Sequence, residues 1–151
     1  MSLPPSVRSN AALGLTTAAA AGRFELQVCV SCKAVQYPPR EVCYACLGTE
    51  LQWQGQDGGG ELLALTHIHV SQNEYFRARV PWRVALVRLD CGPTVIAHLH
   101  VECPPPPARV RVHAYVDVSG QGVLIAFPAE GPLDIARDPR LLDLTGGRAT
   151  Y

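Results

Sequence analysis

Four cysteines arranged as two Cys-x-x-Cys pairs constrain this chain more than any other feature of its sequence. Cys29 and Cys32 form the first pair, and Cys43 and Cys46 form the second pair after ten intervening residues. Each pair makes a tight turn that points two thiolates the same way, and four thiolates satisfy the tetrahedral coordination of zinc at about 2.3 Å. Four protein ligands leave no position for water or substrate. The spacing therefore predicts one structural Zn²⁺, with iron as the alternative metal for the same ligands.

The composition is that of a small folded protein without a long-range electrostatic field. Thirteen basic and thirteen acidic side chains cancel, so the charge that drives sequence-independent binding to phosphate backbones is missing. No segment approaches the roughly 20 apolar residues that a membrane span requires, and the Ala-rich and Thr-rich stretch 11–22 resembles a helix more than a secretory signal. Six cysteines without an export signal favour a reducing compartment. We expect a cytoplasmic protein that does not contact a membrane.

Apolar and polar residues alternate with a period of two in the second half of the chain, which predicts β-strands. Five strands are expected, over residues 61–71, 83–90, 94–102, 109–118 and 122–128. The four prolines at 104–107 cannot donate to a ladder and should end the third strand. Five short strands within about 70 residues fit a small closed barrel better than a sandwich, which usually needs about seven.

The pattern divides the chain into four parts. We predict an N-terminal helical segment over 1–22, a zinc ribbon over 23–55, a barrel over 56–130 and a C-terminal tail over 131–151. The four glycines within 55–60 predict a turn or hinge between ribbon and barrel. The helix lacks a strong apolar stripe, so we expect it to pack on another surface, of which a partner protein is one candidate. The tail is either a docking segment or a loop packed on the barrel.

Two pairs of histidines offer a second metal site as an alternative, and with it an enzymatic function. His67 and His69 lie two apart on one predicted strand, as do His98 and His100 on another, so each pair shares a face of its strand. Imidazole is a common metal ligand. No carboxylate is obviously placed to complete either site, and histidines that face solvent are the commoner case.

The residues around the cysteines resemble the zinc-ribbon and OB-fold proteins that accompany thiolase-type acyl-CoA enzymes. The resemblance covers about residues 23–130. It is carried by the Tyr-Pro-Pro-Arg motif at 37–40 between the cysteine pairs, by Trp53, and by Val-Pro-Trp at 80–82 before the strand segment Val-Ala-Leu-Val-Arg-Leu-Asp at 84–90. The chain departs from the family where Lys33 and Leu47 follow the second cysteine of each pair, a position that is commonly glycine. These changes leave the four metal ligands intact.

The resemblance implies both a fold and a role. The implied fold is mainly β, with an N-terminal helix, a rubredoxin-like zinc ribbon and a five-stranded OB-fold barrel. The implied role is a non-catalytic subunit that joins a thiolase-superfamily protein in a hetero-oligomer, stabilises it and helps to bind or channel an acyl-CoA. The complex would be a thiolase, aldolase, synthase or hydratase. Its catalytic residues would lie on the partner, and we assign none to this chain.

The composition of the loop between the first two barrel strands favours an acyl-CoA ligand, which this chain and its partner would bind together. Aromatic and arginine side chains are concentrated between residues 75 and 83. A flat apolar face suits the adenine base of CoA, and guanidinium groups suit its phosphates. The predicted CoA-contacting residues are Phe76, Arg77, Arg79, Trp82 and Arg83, together with Arg40 of the ribbon. In the competing interpretation, Phe76 and Trp82 close one end of the barrel while the arginines are solvated.

A protein that binds single-stranded nucleic acid is the alternative function. Barrels of this type stack bases on aromatic side chains along a positive groove, and the same loop would serve. The zero net charge and the aromatic content of 7% weigh against it. Oligonucleotide binding with a steep dependence on salt would favour this alternative.

Overall fold

The protein is described by a computed structural model over residues 2–147, so Met1 and the predicted tail residues 148–151 lie outside the described residues. A 3₁₀ turn, Asn10–Ala12, leads into helix α1, Leu13–Ala20. Three strands follow: β1, Glu25–Cys29; β2, Val35–Gln36; and β3, Leu51–Gly55. Five longer strands come next: β4, Gly59–Ile68; β5, Trp82–Leu89; β6, Thr94–Leu99; β7, Ala108–Val116; and β8, Gly122–Pro128. The short helices are α2, Glu74–Arg77, and α3, Pro139–Leu144, with a 3₁₀ turn at Ile135–Arg137.

The first three strands form the sheet of a zinc ribbon. Their order is β2-β1-β3, with both pairings antiparallel. Strand β1 ends at Cys29, so the sheet itself positions the first metal ligand. Phe24 and Leu26 are buried in the same apolar cluster as the interior of the barrel. The ribbon therefore packs on the barrel through a common core.

The remaining five strands close into a barrel, which confirms the predicted fold class. The strand order is β4-β5-β6-β8-β7, and β6 pairs with β8 in parallel through His98 and Leu99. The inward alternation expected from the sequence is present. Buried interior residues include Val95, Ala97, Leu99, Val110, Val112 and Ala114. Val101, which continues the same alternation in the sequence, is 48% exposed. The strand ends before it because the backbone N–H of Val101 donates to the Asp138 carboxylate at 2.8 Å.

The glycine-rich link between ribbon and barrel is a close-packed extended segment, which corrects the prediction of a turn or hinge. Gly59 and Gly60 already belong to β4. The carbonyl of Gly58 accepts a hydrogen bond from the backbone N–H of Val112 at 2.8 Å, and a Cβ at Gly58 would overlap the Val112 carbonyl oxygen. A Cβ at Gly60 would lie 2.7 Å from the Arg88 carbonyl oxygen. The glycines are needed here because two backbones approach closely.

Helix α1 packs at the junction between ribbon and barrel of its own chain. Leu15, Ala18 and Ala19 are buried, and the Thr16 hydroxyl accepts a hydrogen bond from the backbone N–H of Gly122 at 2.9 Å. A Cβ at Gly14 would overlap the indole ring of Trp53 on β3. Small residues, in place of an apolar stripe, let the helix approach both domains.

Residues 131–147 of the C-terminal tail pack on the outside of the barrel, as in the second of the two alternatives that the sequence left open. It builds a second apolar cluster, formed by Tyr75, Trp82, Tyr115, Ile125, Phe127, Ile135, Leu141 and Leu144. The alternation that fills the barrel interior thus also places large apolar residues outside, where α2 and α3 cover them. Among residues 2–147, no helix combines the length and apolar character needed to cross a lipid bilayer.

Candidate metal centre and arginine-rich surface

The four predicted metal ligands converge at one end of the ribbon. All four sulfur atoms lie within 4.8 Å of one another. The Sγ atoms of Cys29 and Cys46 are 3.6 Å apart, as are those of Cys32 and Cys43. A tetrahedron with metal–sulfur bonds of 2.3 Å has edges of about 3.8 Å, whereas a disulfide would need about 2.05 Å. The donor set and its spacing fit a closed site for one structural Zn²⁺.

Two similar turns hold the sulfur atoms in place. The backbone N–H of Lys33 donates to the Cys29 carbonyl at 2.9 Å, and that of Leu47 donates to the Cys43 carbonyl at 3.0 Å. Lys33 and Leu47 have φ angles of 65° and 64°, the left-handed region that costs a residue other than glycine about 1–2 kcal/mol. This geometry explains why glycine suits the position, and why its replacement leaves the ligands in place.

Backbone N–H groups inside the turns favour thiolates at the buried ligands. The N–H of Cys32 lowers the pKa of Cys29 to about 6, and the N–H of Cys46 likewise lowers the pKa of Cys43. The N–H of Gly48 also favours a thiolate at Cys46, but hydrogen bonds with the neighbouring thiols raise the pKa of Cys46 to about 12 overall. Zinc binds the thiolate form of cysteine, so the turns prepare two of the four ligands.

The histidine pairs do not assemble a second metal site among the described residues. The four cysteines are the one group of three or more potential metal ligands found in residues 2–147. His98 Nδ1 accepts a hydrogen bond from the Trp82 indole N–H at 2.9 Å. His100 is buried, with Nε2 3.0 Å from the Asp134 carbonyl and Nδ1 accepting from the Glu102 N–H. These ring nitrogens therefore form hydrogen bonds within the fold and do not converge on a metal site.

The predicted loop between β4 and β5 contains helix α2 and a cluster of aromatic rings. Trp82 is 3% exposed, and its ring lies edge-on to Phe76 with centroids 4.9 Å apart. Phe76 stacks on His98 at 6.0 Å. Burial, with a smaller contribution from the positive charge of Arg8, lowers the pKa of His98 to about 4. His98 is thus neutral at pH 7 and carries its proton on Nε2, because Nδ1 accepts from Trp82.

Arg79 ties the loop to the C-terminal tail. Its Nε donates to the Asp143 carboxylate at 2.8 Å, and the Tyr75 hydroxyl donates to the same carboxylate oxygen at 2.9 Å. The guanidinium carbon lies 3.7 Å from the centre of the Tyr75 ring. Burial, followed by the hydrogen bond to Asp143, raises the pKa of Tyr75. The sequence gives no signal for this contact, since its partners are 64 and 68 residues apart.

The other predicted CoA-contacting arginines lie in different surroundings. The side chain of Arg77 is 58% exposed and pairs loosely with Glu74 at 4.0 Å. Arg83 is half-buried on β5, and its Nε has no hydrogen-bond partner among the described residues. Arg40 lies on the ribbon, where its backbone N–H donates to the side chain of Gln27 at 2.9 Å. The structure thus brings Phe76, Arg79 and Trp82 together around α2 and places Arg40 on the other domain.

A cleft of about 410 Å³ lies where α1, the ribbon and the barrel meet. Its walls include Arg8, Tyr37, Pro38, Ile96 and His98. It is large enough for a small organic ligand. His98 connects the cleft to α2, because the same imidazole ring stacks on Phe76.

Comparisons with known proteins agree with this architecture. Residues 16–52 match the family model described as the ChsH2 rubredoxin-like zinc ribbon domain, and residues 53–121 match the one described as the ChsH2 C-terminal OB-fold domain. A solved chain described as Ltp2-ChsH2(DUF35) aldolase superimposes with a TM-score of 0.68 at 22% identity, covering 84% of this chain and 100% of that one. At this identity the superposition shows a common fold. No curated protein sequence matches significantly.

Proposed function

This chain belongs to the family of ChsH2-type zinc-ribbon and OB-fold proteins, and from that premise we propose that it is a zinc-binding accessory subunit of an acyl-CoA enzyme complex. The partner is a thiolase-superfamily protein that carries the catalytic residues. The subunit stabilises that partner and contributes part of the surface that binds the acyl-CoA. The protein operates in the cytoplasm.

The match of the whole ribbon-and-barrel unit supports the accessory role. The solved chain with the same fold comes from an Ltp2-ChsH2(DUF35) aldolase, whose name joins two components. In this chain the four-cysteine site has no free coordination position, so a metal there holds the fold and does not act on a substrate. Cys103, a buried thiol outside the site, has its pKa raised to about 12 by burial, which keeps it protonated and unreactive.

The observation that carries the acyl-CoA assignment is the 410 Å³ cleft, whose wall residue His98 stacks on Phe76 of α2. A long thioester ligand needs an apolar channel for its arm and cationic groups for its phosphates. The cleft supplies the channel for the arm, and His98 Nε2 is a neutral hydrogen-bond donor for an amide or thioester carbonyl. Arg77, which is exposed and only loosely paired, supplies a guanidinium group next to Phe76.

Neutralising Arg77 is expected to weaken CoA binding about tenfold, the effect of one charge-assisted hydrogen bond to a phosphate. We would measure the Kd of CoA by isothermal titration calorimetry with zinc-loaded wild type and Arg77→Gln. Arg79→Gln is a poor test, because it removes the contact with Asp143 that holds the tail.

Arg88→Gln is a matched control for this experiment. The Arg88 side chain is 57% exposed and pairs with Glu61 on the barrel surface, so the control removes the same charge at similar exposure. It should leave the Kd unchanged. Equal effects of both substitutions would mean that CoA responds only to the net charge of the protein, and would refute the assignment of this surface. Undetectable binding of CoA to wild type would refute it as well.

A further inference from the structure

Arg83 is a charged side chain that the fold buries in part without giving it a partner. Its Nε is buried and forms no hydrogen bond within residues 2–147, and none of the ion pairs among these residues involves its guanidinium group. On the barrel surface, Arg88 pairs with Glu61 and Arg109 pairs with Asp90. Removing a donor from water without an acceptor is costly. An anionic ligand would offset that cost.

A pocket of about 210 Å³ adjoins Arg83 at one end of the barrel. His67 faces Arg83 across the strand pair, and Arg140 of α3 lines the opposite side. Trp82, Leu99 and Leu141 form apolar walls. The pocket has several times the volume of one water molecule, which occupies about 30 Å³ in the liquid. Two arginines and a histidine therefore surround a space that can hold a polyatomic anion.

The one carboxylate in this pocket already has its hydrogen bonds. Asp138 accepts from the backbone N–H of Val101 at 2.8 Å and from those of Arg140 and Leu141 at 3.1 and 3.4 Å. Arg140 in turn donates to the Pro81 carbonyl, which holds its side chain at the rim. Asp138 brings one negative charge to a pocket whose lining also holds the two positive charges of Arg83 and Arg140. One positive charge and the Arg83 donors are left for a ligand.

We propose that this pocket is a binding site for a phosphoryl anion, a phosphate or diphosphate group, held by Arg83 and Arg140 with His67 at the rim. A guanidinium group forms paired hydrogen bonds with phosphate oxygens. The site is distinct from the exposed Arg77 surface. The inference deepens the proposed function and rests on it for the natural source of the anion, since CoA carries a diphosphate. Free diphosphate is the other source of the same chemistry.

The test compares wild type with Arg83→Met, which keeps the apolar stem and removes the charge. In wild type, millimolar sodium diphosphate should raise the melting temperature, because a ligand that binds only the folded state stabilises it. Arg83→Met should lose that increase, and its Kd for diphosphate by calorimetry should rise at least about tenfold. Without anion, Arg83→Met should be as stable as wild type or more so, a result that a purely structural arginine would not give.

Further variants and ligands make each outcome decisive. Arg140→Gln should also weaken diphosphate binding, whereas Arg88→Gln should not. If Arg83→Met fails to fold, Arg83→Lys, which keeps the charge but lacks the Nε donor, should still weaken binding. Equal stabilisation of wild type and Arg83 variants by diphosphate, or stabilisation by malonate but not by diphosphate, would overturn the inference.

Binding of CoA separates this inference from the proposed function. CoA binding that depends on Arg83 identifies CoA as the source of the anion. Diphosphate binding that depends on Arg83 without any CoA binding supports the site, with free diphosphate as its ligand, and refutes the acyl-CoA assignment. CoA binding that depends on Arg77 but not on Arg83, with no diphosphate binding, refutes the site and leaves the proposed function standing.

Discussion

Replacing Cys43 with serine is expected to remove most of the bound zinc and to unfold the ribbon. The Cys43 side chain is buried, and its Sγ lies 3.6 Å from that of Cys32. Structural zinc in small modules has an apparent binding free energy of about 10–16 kcal/mol at pH 7, and so short a ribbon cannot replace it with a core of its own. The measurements are zinc per chain by mass spectrometry after dialysis against a chelator, and the melting temperature by circular dichroism.

Cys91→Ser is the control for the zinc experiment. Cys91 is half-buried and outside the four-cysteine site, so this variant should retain about one zinc ion per chain, like wild type. The loss at Cys43 should also lower the stability of the barrel, because Phe24 and Leu26 of the ribbon belong to the common core. Full zinc content and an unchanged melting temperature in Cys43→Ser would contradict the structural role. Iron in purified wild type would reassign the metal.

Replacing Trp82 with alanine is expected to lower the free energy of unfolding by about 3–5 kcal/mol, the usual cost of deleting a large buried aromatic side chain. Trp82 is 3% exposed, packs against Phe76 and donates to His98. The substitution leaves a cavity under α2 and removes the donor from His98 Nδ1. Urea denaturation followed by circular dichroism measures the change.

Trp82→Phe separates the two contributions of the indole. It keeps an aromatic ring in the cluster but loses the hydrogen bond to His98, so the expected cost is smaller, about 1–3 kcal/mol. The result also tests whether Trp82 stacks on a ligand. A Trp82→Ala variant that is as stable as wild type but has lost CoA affinity would identify Trp82 as a ligand platform and contradict its place in the core.

The parts of this fold that the sequence predicts are those that depend on local spacing. The spacing of the cysteines from Cys29 to Cys46 is sufficient to predict the ribbon, because a tetrahedral metal site constrains both turns. The alternation at Val95, Ala97 and Leu99 is sufficient to predict a strand with one face in the barrel interior, because successive side chains of a strand point to opposite faces.

The prediction failed where tertiary contacts decide the local structure. The glycines at 58–60 have the composition of a turn, yet they lie in extended backbone because strand β7 and the Arg88 backbone approach them closely. Strand β6 ends at Leu99, before the predicted end at residue 102, because Asp138 accepts the hydrogen bond of the Val101 N–H. A single sequence without its fold gives no sign of either contact.

The arginine-rich loop shows the same limit within the candidate site. The sequence places Arg77, Arg79 and Arg83 in one group because they lie within seven residues of one another. In the structure Arg79 binds Asp143, Arg77 is exposed, and Arg83 points toward a pocket completed by the tail residue Arg140. Their roles differ because α3, which follows more than 50 residues later, packs beside β5.

The proposed role as an accessory subunit requires that this chain assemble with a thiolase-superfamily partner. We would co-express the full chain with the thiolase-superfamily protein encoded nearest to its gene and measure molar mass by light scattering during size-exclusion chromatography. We expect a stable hetero-oligomer that contains one zinc ion per copy of this chain. Elution of the two proteins as separate, uncomplexed species, with this chain zinc-loaded and folded, would contradict it.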